Sequence, residues 1–242
     1  MNIIVFGGSG GIGAAILKQI RLRYPSASVF ATWNTQPPAD ELSGDGIQWS
    51  QVDVCSEQSI QTFSQSFDKV NWLINAVGML HIDAKGDAAQ MPEKSLKQLN
   101  PEFFMKNMQL NALPTLLIAK HFERALKHDE SAQFTTVSAK VGSIEDNGLG
   151  GWHSYRCSKA ALNMAIKNIS IEWRRRLPKV CVTALHPGTT NTELSAPFQG
   201  NVPDGKLFTS QYTASCLVDL LSQFKASDTG KFVAYDGEEL PW

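Results

Sequence analysis

Phe6-Gly7-Gly8-Ser9-Gly10-Gly11-Ile12-Gly13 follows the apolar run Ile3 to Phe6 and leads into Ala14-Ala15-Ile16-Leu17. An apolar strand, a glycine-rich turn and a helix therefore stand in succession at the start of the chain. Glycine lets the backbone turn tightly and come close to a ligand without a Cβ in the way. A helix that starts at such a turn aims its unpaired N–H groups and its positive dipole end at the same place, which suits a pyrophosphate. Gly8, Gly10 and Gly13 fit G-x-G-x-x-G, while Gly7, Gly11 and Gly13 fit G-x-x-x-G-x-G. Either spacing alone is a weak signal; its place between strand and helix gives it weight. The turn predicts an α/β fold in which Gly7, Ser9, Gly11, Ile12 and Gly13 hold a dinucleotide.

Working outward, short β-branched runs alternate with longer stretches of helical period, as in a parallel sheet covered by helices. The expected strands are Ile3–Phe6, Val29–Thr32, Ile47–Val52, Trp72–Asn75, Phe134–Ser138, Val180–Leu185 and Lys231–Ala234. The expected helices are Ala14–Arg23, Ser59–Phe67, Pro101–Arg124, Tyr155–Leu177 and Gln211–Phe224. No linker or repeat divides the chain. The prediction is one domain over residues 1–242, a doubly wound (Rossmann-type) parallel sheet of about seven strands. Two stretches read as loops, His81 to Asn100 and Thr189 to Ser210. The second leaves the carboxyl end of a strand, where open α/β sheets bind ligands, and is the expected substrate lid.

Composition narrows the function. Lys plus Arg number 22 and Asp plus Glu 23, and the apolar fraction is 43%. Without a clustered basic excess, a nucleic-acid or anionic-membrane surface is not expected. The basic run Arg174-Arg175-Arg176 falls near the end of an expected helix, where cations complement the dipole. Cys55, Cys157, Cys181 and Cys216 form no C-x-x-C pair and read as free thiols of a reducing compartment. The five histidines show no metal spacing. No apolar run approaches the length of a membrane span, and Met1-Asn2 leads directly into a strand, so the expected location is the cytoplasm.

Tyr155-Arg156-Cys157-Ser158-Lys159 places a phenol and an ammonium four residues apart, on one face of a helix. A free phenol titrates near 10, too high for acid–base work at neutral pH. A neighbouring cation that lowers it by two or three units supplies only about 3–4 kcal/mol. So tuned, the tyrosine can give a proton to a carbonyl oxygen or take one from an alcohol.

Taken together these motifs resemble the short-chain dehydrogenase/reductase family along essentially the whole chain, with Ser138 to Asn163 most like its carbonyl-reductase or C-factor-like branch. The matching residues are Gly7-x-x-x-Gly11-Ile12-Gly13, Asp53-Val54, Asn75-Ala76-Val77-Gly78, Asn111, Tyr155-x-x-x-Lys159 and Pro187-Gly188-x-x-x-Thr192. The resemblance implies an NAD(P)-dependent oxidoreductase that moves a hydride between cofactor and a small carbonyl or alcohol. Tyr155 would be the acid–base, Lys159 would lower its pKa and hold the nicotinamide ribose, and Asn111 would anchor a water in a proton relay. Asp53 and Val54 would meet the adenine, Asn75, Ala76 and Gly78 the ribose side, and Pro187, Gly188, Thr190 and Thr192 the carboxamide. A homodimer or homotetramer is implied, built on the helices carrying Asn111 and Tyr155.

The chain departs from the family at three places. The acid expected to hold a ribose 2′-OH is missing, because the second strand ends in Ala31-Thr32-Trp33-Asn34-Thr35. Asn34 then faces the ribose, with a slight lean toward NADP over NAD. Asn75-Ala76-Val77-Gly78 alters the middle of the family's Asn-Asn-Ala-Gly. Ala139 stands where a substrate-binding hydroxyl is usual, which leaves Ser143, in a loop after Gly142, and Ser138 as the candidates to replace it. Ser138 would point away by strand alternation. The missing hydroxyl also motivates another reading, a non-catalytic nucleotide-binding sensor or signalling protein on the same fold; an isomerase or dehydratase using the same cofactor is a second rival.

Overall fold

The computed structural model describes residues 1–44, 46–82 and 89–242. Its elements run β1 (Asn2–Phe6), α1 (Gly11–Arg23), β2 (Ser28–Trp33), a one-turn α2 (Asp40–Ser43), β3 (Ile47–Gln51), α3 (Glu57–Ser64) and β4 (Trp72–Asn75). They continue with α4 (Pro101–Asn107), α5 (Leu113–Leu126), β5 (Ala132–Val137), α6 (His153–Arg176), β6 (Val180–His186), β7 (Thr189–Thr190), β8 (Leu207–Phe208), α7 (Ser210–Gln223) and β9 (Lys231–Ala234). Seven strands form one parallel sheet in the order β3-β2-β1-β4-β5-β6-β9, and β7 pairs with β8 apart from it. The order reverses between β1 and β4, and a crevice opens at such a switch point beyond the strand ends.

Both faces of the sheet are buried, so its strands read as continuous apolar runs rather than alternating ones. Along β1, Ile3 and Val5 pack with Leu17, Ile20 and Leu217 of α1 and α7, while Ile4 and Phe6 face α5 and α6. On that second face Phe6 meets Phe122 and Phe63 edge-on, each with ring centroids 5.7 Å apart.

Where element bounds differ from expectation, local hydrogen bonds account for it. Helix α3 begins at Glu57 because the Ser56 hydroxyl caps it, accepting from the Ser59 N–H. The expected helix from Pro101 to Arg124 is interrupted by a π-helical turn, Met108–Ala112. Pro114 lies in the first turn of α5 and has no N–H for the carbonyl of Leu110, which loosens the ladder there. Strand β5 closes at Val137, one residue early. The expected lid between Thr189 and Ser210 carries its own structure, β7, a 3₁₀ stretch from Ala196 to Asn201, and β8. Of the loop from His81 to Asn100, residues 83–88 lie outside the described residues; Ile82 and Gln90 flank them in an antiparallel bridge.

The aromatic cluster supplies a stability test. Phe122 is fully buried, so Phe122→Ala should lower the unfolding free energy by about 3–5 kcal/mol, read as a lower urea midpoint at unchanged slope.

Candidate active site

The glycines of the first turn do different jobs. Gly7 has φ +74°, and a Cβ there would stand 3.0 Å from Val77. A Cβ on Gly11 would come within 2.6 Å of Thr192, and one on Gly13 within 2.1 Å of the Gly7 carbonyl. Gly8 instead packs inward against Leu17 and Ala31. The Gly7-Gly11-Gly13 reading therefore describes the cleft, and Gly8 is a packing residue. No side chain caps the N-terminus of α1, and no acid lies in its first turn. Such an end favours an anion.

A cleft of about 660 Å³ runs past this turn, walled by the end of β2, by Val54, by Ala76-Val77-Gly78 and by Thr192-Glu193-Leu194. Ser9, Ile12 and Asn34 also line it. Neither lysine nor arginine lines it among the described residues, and Glu193 is its one acid. A second cavity of about 200 Å³ shares Ile12, Ala76, Val77, Gly78, Thr192 and Leu194 with the first, so the two form one groove. An uncapped helix end, a glycine cradle and an elongated groove leading to a smaller pocket fit a nicotinamide dinucleotide.

The smaller cavity is where the chemistry gathers. Tyr155, Lys159, Ala139, Pro187, Gly188 and Thr190 line it. Both Tyr155 and Lys159 are buried on α6, and the Lys159 Nζ lies 5.9 Å from the centre of the Tyr155 ring. The ammonium donates to the Val137 carbonyl at 3.2 Å, which uses one of its three N–H groups. Burial alone pushes the Lys159 pKa down to about 8 and the Tyr155 phenol upward from 10. Gly78 lies beside both groups, since a Cβ there would stand 3.5 Å from Lys159 Nζ and 3.6 Å from Asn111 Oδ1, in ordinary contact. Asn111 sits in the π turn, its Oδ1 accepting from the Met79 N–H at 2.7 Å and its Nδ2 donating to the Met79 carbonyl at 2.9 Å.

Of the other expected site residues, Asp53, Asn75 and Ser143 stand back from the groove, whereas Ser138 lines the smaller cavity with its hydroxyl engaged elsewhere. The Asp53 carboxylate accepts from the Cys55 N–H at 2.9 Å, the turn-capping role open to it on sequence. Asn75 is buried behind the cleft, holding the Val77 N–H and the Thr115 hydroxyl. The Ser138 hydroxyl donates to Asn163 Oδ1 at 2.6 Å, between sheet and α6, as alternation requires. Ser143 donates to the Trp242 main-chain oxygen at 3.2 Å and accepts from the Asp146 N–H, away from the cavity. The structure thus brings neither serine hydroxyl to Ala139.

Sequence reasoning passed over His186, which lines the smaller cavity; its position directly before Pro187-Gly188 at a strand end was the available signal. It also passed over Glu93, whose buried carboxylate accepts from both the N–H and the hydroxyl of Ser154 at the start of α6. The Glu93 carbonyl accepts from the Trp152 N–H. Gly150, Gly151 and Trp152 are all left-handed, with φ +63°, +63° and +49°. This unusual backbone swings the Trp152 ring onto Phe198 of the lid, 4.9 Å between centroids.

The sequence profile described as short chain dehydrogenase matches residues 1–202. The chain is 26% identical over 248 residues to the 1-hydroxy-2-glutathionyl-2-methyl-3-butene dehydrogenase of Rhodococcus sp. (strain AD45), covering 100% of this chain and 99% of that one. Its fold is similar to that of the carbonyl reductase Sniffer of D. melanogaster, with TM-score 0.83 at 22% identity over 100% of this chain and 99% of the other. It is also similar to the NADPH-bound carbonyl reductase from chicken fatty liver, with TM-score 0.82 at 23% identity over 100% and 94%.

The uncompensated ammonium has a measurable cost. A folded pKa near 8 against 10.5 when exposed amounts to about 3 kcal/mol. The unfolded chain binds this proton more tightly, so the cost is complete below pH 8 and vanishes as pH rises toward 10.5. Lys159→Met should therefore raise the melting temperature at pH 7 by about 5 °C, measured without added nucleotide, and the gain should shrink above pH 8.

Proposed function

The chain belongs to the short chain dehydrogenase family, and from that premise we propose that it reduces a small carbonyl compound, or oxidises the corresponding alcohol, with Tyr155 as the acid–base. The observation that carries this reading is the meeting of a buried phenol and a buried ammonium, without a counter-ion among the described residues, in a pocket continuous with the glycine-lined cleft. A reduced nicotinamide bound there would supply a hydride, two electrons with one hydrogen nucleus, to the carbonyl carbon. Tyr155 gives its hydroxyl proton to the carbonyl oxygen, so the product is the neutral alcohol and the phenolate is left behind. Lys159 offsets that phenolate, reversing the upward push of burial on the phenol. Its two remaining N–H groups suit a sugar diol. Asn111, fixed by both polar groups of the Met79 backbone, holds the floor beneath the ammonium. Trp152 and Phe198 cover the pocket and exclude water.

NADP is the preferred cofactor in this reading. Thr32 to Gln36 present no carboxylate to repel a 2′-phosphate, and the carbonyl reductase from chicken fatty liver holds NADPH. A homodimer or homotetramer is supported by exposed Met105, Leu113 and Leu116 on α4 and α5, and Met164 and Ile171 on α6. The methyl at Ala139 favours a second reading, a cofactor-binding protein without turnover.

NADPH oxidation against a panel of aldehydes, ketones and diketones separates the two. Tyr155→Phe should lower kcat by about 10²–10⁴-fold while cofactor affinity stays within about twofold. If wild type and variant are equally silent and both bind NADPH, the non-catalytic reading stands. Asn34→Asp should weaken NADPH binding about tenfold relative to NADH, measured by fluorescence titration, because a carboxylate would face the 2′-phosphate.

A further inference from the structure

His186 closes β6, and its ring lies in the wall of the smaller cavity. The Lys140 N–H donates to its Nδ1 at 3.2 Å. Nδ1 is therefore the acceptor, and in the neutral ring the hydrogen sits on Nε2. The ring is neutral at physiological pH. Burial first, then Lys140, push its pKa down to about 4, against the opposing pull of Asp236 and Asp146. Nε2 has no hydrogen-bond partner among the described residues, nor is it one of their enclosed polar atoms. It is thus left free on a residue that lines the cavity.

The peptide that supplies the Lys140 N–H joins Lys140 to Ala139. The imidazole therefore rests against the position where the family resemblance expects a hydroxyl and this chain has a methyl. Ser138 and Ser143 are committed elsewhere, to Asn163 and to the Trp242 main-chain oxygen. Beside that methyl stands an unengaged N–H, on a residue that lines the same pocket as Tyr155.

We propose that the Nε2–H of His186 donates a hydrogen bond to the substrate carbonyl oxygen, supplying the contact that a hydroxyl at position 139 would make. The inference rests on reading the pocket as a carbonyl site. His186 keeps its proton throughout; the proton that ends on oxygen comes from Tyr155. A neutral donor already fixed by Lys140 stabilises the developing charge on oxygen without reorienting during the reaction.

The full-length, NADPH-loaded protein tests this. His186→Leu should lower kcat by about 10²–10³-fold with NADPH affinity unchanged. His186→Gln keeps both an acceptor for the Lys140 N–H and an N–H donor, and should retain most activity. Adding Ala139→Ser to His186→Leu should recover at least about tenfold, a rescue that a purely structural role for the ring would not show. Separately, ¹⁵N spectra of the imidazoles should show His186, assigned through His186→Gln, as the Nε2–H tautomer at pH 6. A kcat for His186→Leu within threefold of wild type, recovery by neither other variant, or an Nδ1–H or charged ring would each overturn the proposal. If wild type reduces nothing in the panel, the carbonyl reading itself has failed; if wild type turns over and His186→Leu equals it, only the role of His186 has.

Discussion

An ammonium buried without a carboxylate is the constraint on which the rest of the site depends. Lys159 is 3% exposed, and among the described residues its one hydrogen-bond acceptor is a neutral carbonyl. A charge in such a place destabilises the fold unless something completes its coordination. Here the surroundings are arranged for a partner that arrives from the groove side. Gly142 lets the β5 exit press against Lys159, where an added Cβ would come within 2.7 Å of the Lys159 Cβ and 2.8 Å of its backbone carbonyl carbon. The large aromatic core and the seven-stranded sheet absorb the resulting cost.

The site is assembled from separated pieces of chain, each held by backbone hydrogen bonds rather than by side-chain ion pairs. The π turn at Asn111 grips Met79, the exit of β5 grips His186, and Glu93 grips the first turn of α6. Salt bridges lie mostly on exposed surface, as with Lys18–Glu41 and Arg124–Asp68, where such pairs contribute little. Position in the pocket is therefore set by strand ends and helix starts, which move little.

Much of this was legible in the sequence, and the reasons are physical. Residue types with a strict backbone requirement announced themselves: Gly7 with its positive φ, Gly11 and Gly13 with no room for a Cβ, and the four-residue spacing of Tyr155 and Lys159. The strands were legible because both faces of the sheet are buried. What failed to show was the competition between alternative partners. Asp53 and Asn75 are polar residues in the expected segments, yet each satisfies a nearby backbone N–H instead of lining the groove. Ser143 was plausible until the Trp242 main-chain oxygen, 99 residues away, came to its hydroxyl. His186 was hidden because a lone histidine carries no spacing to read, and its tautomer depends on a loop N–H brought near by the fold.

The left-handed run through Gly150, Gly151 and Trp152 carries a consequence for how such a chain diversifies. The floor of the pocket belongs to sheet and helix, whereas its roof is made of the Trp152 and Phe198 rings, with His81 packed against Phe198. Trp152 is hinged on two glycines and tethered by one main-chain bond to Glu93, and its ring also packs edge-on against Tyr155 at 6.2 Å between centroids. Exchanging Phe198 therefore reshapes the cavity with less effect on Tyr155 than exchanging Trp152. The lid ring is the place where the shape of the cavity can vary while the sheet and helix beneath it stay as they are.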